Sequence, residues 1–210
     1  MPNWCNNFIA ISGEESNMKP IYDFFVEADK TPNEDHWVMS TFIPEDEDFE
    51  QIKESGDFIL SPYVTFYGCK WDFQVNECNS DYTPTLITLN PSTAWSPPVG
   101  FCERLSKKYG VNVSVEYYES GNDMAGRFEY SDGEEIEAEE YSYREGMFHL
   151  DNETFWVEVE SDLEWMVCEN PLATIDELIG TMYPFLTSKE DIETLTEIYN
   201  EHKGNETTAE

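Results

Sequence analysis

"SPPVGFCERLSKKYGVNVSVEYY", residues 96–118, decides how the rest of the chain is read. Ser96 can cap free backbone N–H groups, Pro97 and Pro98 suit first-turn positions that need no hydrogen bond, and Gly110 can take the left-handed conformation after a last turn. The spacing predicts a helix over 97–109 with Phe101, Cys102, Leu105 and Tyr109 facing inward. Val111, Val113, Val115 and Tyr117 then alternate with Asn112, Ser114 and Glu116, the period-two pattern of a half-buried strand.

Working outward, "NNFIAIS" (6–12) reads as a buried strand ended by Gly13. A helix follows from about residue 18, with Ile21, Phe24, Phe25 and Ala28 on one face and Pro20 in its first turn. "WVMSTFI" (37–43), "YVTFYGCKWDFQV" (63–75) and "TLITL" (85–89) read as strands, and 44–57 as an acidic loop or short helix. Asp132-Gly133 marks a hairpin between "MAGRFEY" and "EIEAEEYSY". Thr174 with Glu177, and Ser188 with Asp191, are N-terminal capping signals for two helices separated by Pro184, the second ending at Gly204.

This order predicts an α+β, ferredoxin-like fold, an antiparallel sheet with two helices on one face. Residues 1–150 form that domain with an added acidic β-hairpin. Residues 151–210 supply a strand and a C-terminal helical hairpin packed on it.

The motifs "MPNWCNN" (1–7), "YGCKWD" (67–72), "TAWSPP" (93–98), "LSKKYG" (105–110) and "YYESGNDMAG" (117–126) resemble those of the YubB-type ferredoxin-like domain family. Members of that family are uncharacterised proteins carried by phages, plasmids and other mobile elements. The resemblance spans about residues 1–133 and departs at Tyr67 and Cys69, where Trp and Thr are expected. It implies a fold and a mobile-element setting, with no activity, cofactor or catalytic residue attached.

Little in the sequence points to catalysis or a cofactor. His36, His149 and His202 have no second metal ligand at helical or turn spacing, no glycine-rich phosphate loop opens a helix, and no stretch fits a calcium-loop pattern. The five cysteines form no C-x-x-C pair and suit reduced, mostly buried thiols. An enzyme would need a pocket where His or Cys meets a carboxylate, and the sequence nominates none, so the expectation is no catalytic residue, no metal and no cofactor. Without a long apolar run or a signal-type N-terminus, the chain is expected to be cytoplasmic, within a host cell, and not membrane-bound.

Charge is the extreme feature, with 45 acidic against 11 basic residues and a formal net charge of −34. It is uneven. Residues 58–115 hold 4 acids and 4 bases, whereas 116–170 hold 18 acids and 2 bases. Such a field repels bare nucleic acid and favours a basic protein partner, such as a nucleic-acid-binding host factor. The glutamates Glu134, Glu135, Glu137, Glu139 and Glu140 are the candidate partner-binding groups, with Glu135, Glu137 and Glu139 expected on one strand face and Glu158 and Glu160 on another. Two readings stay open: a solubilising exterior, or a recognition surface that imitates DNA in an anti-defence role.

Trp4, Lys70, Trp71, Asp72, Trp95 and Ser96 form a second constellation. As packing, the indoles are buried, the Lys70 stem lies on them and pairs with Asp72, and Ser96 is a helix cap. As a site, they form a binding pocket.

Overall fold

The computed structural model describes residues 3–58, 60–169 and 172–206, and the chain divides into two units between Tyr143 and Arg144. In the first unit, β1 (Trp4–Ser12) buries Cys5, Asn7, Ile9 and Ile11 on one side. Helix α1 (Glu15–Lys30) follows, then three short helices, α2 (Met39–Phe42), α3 (Glu47–Ser55) and α4 (Pro62–Tyr67). Next come β2 (Asn79–Thr83), β3 (Leu86–Asn90), β4 (Ser92–Ala94), helix α5 (Val99–Tyr109), β5 (Asn112–Glu119), β6 (Met124–Ser131) and β7 (Glu134–Tyr141).

Every strand pairing is antiparallel, in the order β2-β3-β1-β5-β6-β7, with β4 paired to β1. The first four positions of that order are the ferredoxin-like arrangement, in which the first strand is flanked by the third and the last. The β6–β7 hairpin extends it. Met18, Ile21 and Phe25 of α1 and Phe101, Cys102 and Leu105 of α5 share one core with Ile9, Ile11, Ile87, Leu89, Val113 and Val115, so both helices cover the same sheet face.

The helix–glycine–strand unit forms, with Gly110 left-handed at φ 63°, but α5 starts at Val99, two residues later than expected, so Pro98 flanks the first turn and Pro97 precedes it. The Asp132-Gly133 hairpin also forms, both residues having positive φ. Several local expectations are overturned. Residues 37–43 and 63–75 are not strands. Residues 39–42 make one helical turn, and α4 has a cap at each end: Ser61 accepts the Val64 N–H, Pro62 opens the helix, and Gly68 closes it at φ 95°. These end signals outweigh the β preference of the aromatic residues between them. The strand after the insertion is β2, too polar to show as an apolar run. Helix α1 begins earlier than expected, placing Pro20 beyond its first turn.

In the second unit, α6 (Tyr143–Leu150), α7 (Asn152–Glu169), α8 (Ile175–Met182) and α9 (Lys189–Glu206) are all helical. The strand expected around Glu158 and Glu160 is the middle of α7, because the buried residues Phe155, Val159 and Leu163 recur every fourth position. Both capping signals hold: Thr174 and Glu177 form the reciprocal box of α8, and Ser188 accepts the Asp191 N–H of α9 at 3.1 Å. Helix α9 continues through Gly204 to Glu206. Phe148, Phe155, Tyr183 and Phe185 pack ring against ring, and Arg144 bridges Asp162 and Tyr183.

Candidate functional site

Two places in the first unit gather the residues the sequence singles out. The first is a cleft of about 580 Å³ lined by Trp37, Ser40, Glu45, Ser61, Tyr63, Tyr67, Lys70, Trp71 and Asp72. Its construction starts at Gly68, which turns the chain out of α4 in a conformation only glycine fits: a Cβ would lie 2.6 Å from the Val99 nitrogen and 2.7 Å from the Pro97 oxygen. The Lys70 N–H then donates to the Ala94 carbonyl at 3.2 Å, tying the "CKWD" segment to β4. Asp72 accepts from the backbone N–H groups of Met39 (2.8 Å), Ser40 (2.9 Å) and Phe73 (2.8 Å) and from the Ser40 hydroxyl (2.7 Å). It therefore holds the N-terminus of α2 and the chain around it.

That engagement corrects the expected Lys70–Asp72 pair. The Lys70 ammonium instead sits 4.5 Å from the Trp71 ring centre and 4.2 Å from the Trp95 ring centre, a cation–π sandwich. Trp95 reaches that position with φ at 79°, a strained conformation for a bulky residue, and its N–H donates to the Asn3 carbonyl at 2.9 Å. Trp4 lies 6.1 Å from Trp71. Trp4 and Trp71 are about half exposed, at 52% and 46%, so these indoles are not core residues as packing requires. Ser96 does not cap α5 either; its hydroxyl donates to the Gly68 carbonyl at 2.5 Å, bracing the turn below the cleft.

The cleft's tyrosines stay protonated. Tyr63 donates to Glu45 at 2.8 Å, and this hydrogen bond is the main reason its pKa is raised. Tyr67 donates to the Ile43 carbonyl at 2.7 Å, and burial, reinforced by Asp72, pushes its phenol upward. Burial also raises the thiols of Cys5, to about 12, and of Cys69 and Cys102, which leaves them protonated and poor nucleophiles. Among the described residues no group of three or more His, Cys, Asp and Glu gathers as a metal site, and no helix is long and apolar enough to cross a membrane. Trp37, Glu45 and Tyr63 were not singled out by the sequence, and Tyr67 only as a departure from the family motif; the i, i+4 spacing of Tyr63 and Tyr67 is the one hint that they share a face.

The second place is the β6–β7 hairpin, which holds seven acids against Arg127, a net of −6 over residues 124–141. Its glutamates do not all share one face. A bulge at Glu129/Tyr130 leaves Ile136 unpaired, so that Glu137 pairs with Glu129 and Glu139 with Arg127, whereas Glu135 pairs with Tyr130. Directly paired residues point the same way. Glu135 and Glu140 therefore share the face of Tyr130, and Glu134, Glu137 and Glu139 share that of Arg127. Arg127 contacts Glu137 at 2.6 Å, and its Nε lies 3.0 Å from Glu139 without the alignment of a hydrogen bond. Glu158 and Glu160 lie on α7, two residues apart, and so diverge around the helix instead of sharing a face.

Residues 70–160 match the family model described as "Ferredoxin-like domain in Api92-like protein". A ferredoxin-like domain of that kind is thus found across the "CKWD" segment, α5 and the acidic hairpin. The crystal structure of protein api92 from Yersinia pseudotuberculosis is similar at 11% identity, covering 68% of this chain and 99% of its own, with a TM-score of 0.44. Among curated proteins, none matches this chain.

Proposed function

We propose that this chain is a non-catalytic binding protein that engages a basic, nucleic-acid-binding partner through the β6–β7 hairpin. The mobile-element resemblance of the sequence adds a setting, a phage or plasmid product acting on a host factor inside the cell. The observation that carries the reading is position. Strand β7 ends the strand path, and five of its eight residues are glutamate. Arg127 is the hairpin's one cation, and it is already engaged by Glu137 and Glu139, with Glu116 opposite it on β5. Glu134, Glu135 and Glu140 are exposed, without a counter-cation on the hairpin.

Magnitudes favour electrostatic docking over close imitation of duplex DNA. Eight residues of strand extend roughly 26 Å, so the hairpin offers about one net charge per 4 Å, against one per ~1.7 Å of DNA axis. The competing reading is that the glutamates only guard an edge strand against pairing with other chains.

The test is affinity capture from host lysate at low and high salt, using the wild-type chain and the variant E135K/E140K. Docking predicts capture of DNA-binding proteins that weakens with salt, is displaced by duplex DNA and is lost in the variant. The same proteins captured equally by the variant would overturn it.

A further inference from the structure

We infer that the cleft between Trp37, Tyr63, Tyr67 and Trp71 binds a planar aromatic molecule bearing an anionic oxygen group, a carboxylate or a phosphate, anchored by Lys70. This site is separate from the acidic hairpin and does not depend on it.

Size comes first. A volume of about 580 Å³ suits a small organic ligand, since such pockets run from roughly 300 to 1,000 Å³. Lining follows. Trp37 and Trp71 leave 40% and 46% of their surface in water, an arrangement that costs apolar hydration until a flat ring covers it. Tyr63 and Tyr67 stack on each other with planes 15° apart and add a further aromatic wall.

Charge then selects the ligand. In a chain with 45 acidic residues, no described carboxylate pairs with Lys70. Asp72, two residues away, is committed to four donors of its own. The ammonium keeps three N–H donors while two indoles take up part of its hydration shell, so an anionic oxygen entering the cleft meets a partly desolvated cation. A cationic ligand would meet repulsion at the same point. The net charge of −34 does not reverse this, because charges beyond about 8–10 Å are largely screened at physiological salt. Of the two carboxylates that line the cleft, Asp72 is turned to four donors and Glu45 to the Tyr63 hydroxyl, which leaves the Lys70 ammonium as the group an anionic oxygen can pair with. Glu45, holding the Tyr63 hydroxyl through one oxygen, has a second oxygen available to a ring N–H of the ligand. The strained backbone of Trp95 fits the same assignment, since it keeps an indole over Lys70 at a conformational cost.

The experiment uses the full chain and follows tryptophan fluorescence and calorimetric heat on titration. The probes are adenosine 5′-monophosphate, indole-3-acetate, adenosine, ribose 5-phosphate and tryptamine. Saturable binding is expected for at least one of the first two, and which of them binds distinguishes phosphate from carboxylate. Adenosine, ribose 5-phosphate and tryptamine should bind at least about tenfold more weakly, the scale of one charge-assisted hydrogen bond. K70M should lose about tenfold for the anion while leaving adenosine unchanged, and W71A should weaken every aromatic probe. K70Q replaces K70M if the latter fails to fold. Absence of saturable binding by both aromatic anions, tighter binding of tryptamine, or anion affinity unaltered by the Lys70 substitution would each overturn the assignment.

Discussion

The aromatic cleft and the acidic hairpin use charge in opposite ways. In the cleft the carboxylates serve the fold: Asp72 fixes the start of α2, Glu45 holds Tyr63, and the lysine is left without an acidic partner. In the hairpin the one arginine is doubly engaged, and the excess of carboxylates faces water on both sides of the strand. Net charge therefore says little about local chemistry. The part of the chain that reads as neutral supplies most of the better-built concave site, with Trp37, Ser40 and Glu45 added from the acidic residues before it, and the part with the most charge holds the simplest geometry.

That contrast can be broken most forcefully from beneath the cleft. Phe66 is fully buried against Phe49, Tyr67 and Arg104, and Phe66→Ala should cost about 3–5 kcal/mol in urea denaturation. Half-exposed Trp71→Ala should cost only about 1–2 kcal/mol; equal losses would make the indole a core residue after all. Asp72→Ala should come next, at about 2–4 kcal/mol, because four donors around α2 lose their acceptor. If the unfolding midpoint does not move, the carboxylate is not needed structurally and is free for a ligand.

The thiols give a pH test. Cys5 is raised from 9.0 to about 12 in the folded chain, chiefly by burial. A raised folded pKa means stability is complete below pH 9 and falls as pH climbs from about 9 to 12, by up to ~1.4 kcal/mol per pH unit for each such thiol. Denaturation midpoints that stay flat between neutral and alkaline pH would contradict buried, protonated thiols. The smallest effect belongs to the hairpin. Arg127→Met should leave the denaturation midpoint almost unmoved, because exposed ion pairs add little to stability, while strengthening capture of a basic partner at low salt. A large stability loss would turn the hairpin's charges from a surface into a structural network.

The sequence by itself determined the elements whose signals are local. Helix α5 with Gly110, the alternation of β5, the Asp132-Gly133 turn and the Thr174 and Ser188 caps each depend on residues within a turn or two of one another, and all of them stand. The ferredoxin-like order also counted residues 37–43 as a strand; β2 takes that place in the sheet, so the order stands although that member of it does not. Tertiary structure decided the remainder, because there the partners lie far apart in sequence. Asp72 reaches back 32 and 33 residues to the start of α2, so neither its role nor the lysine it leaves unpaired shows locally. A bulge, fixed only by pairing with β6, moves Glu135 to the opposite face from Glu137 and Glu139. The alternation in "WVEVE" reads as strand by its own pattern. It is helix because Phe155, Val159 and Leu163 find a core every fourth residue, and burial of that longer period outweighs a five-residue rhythm.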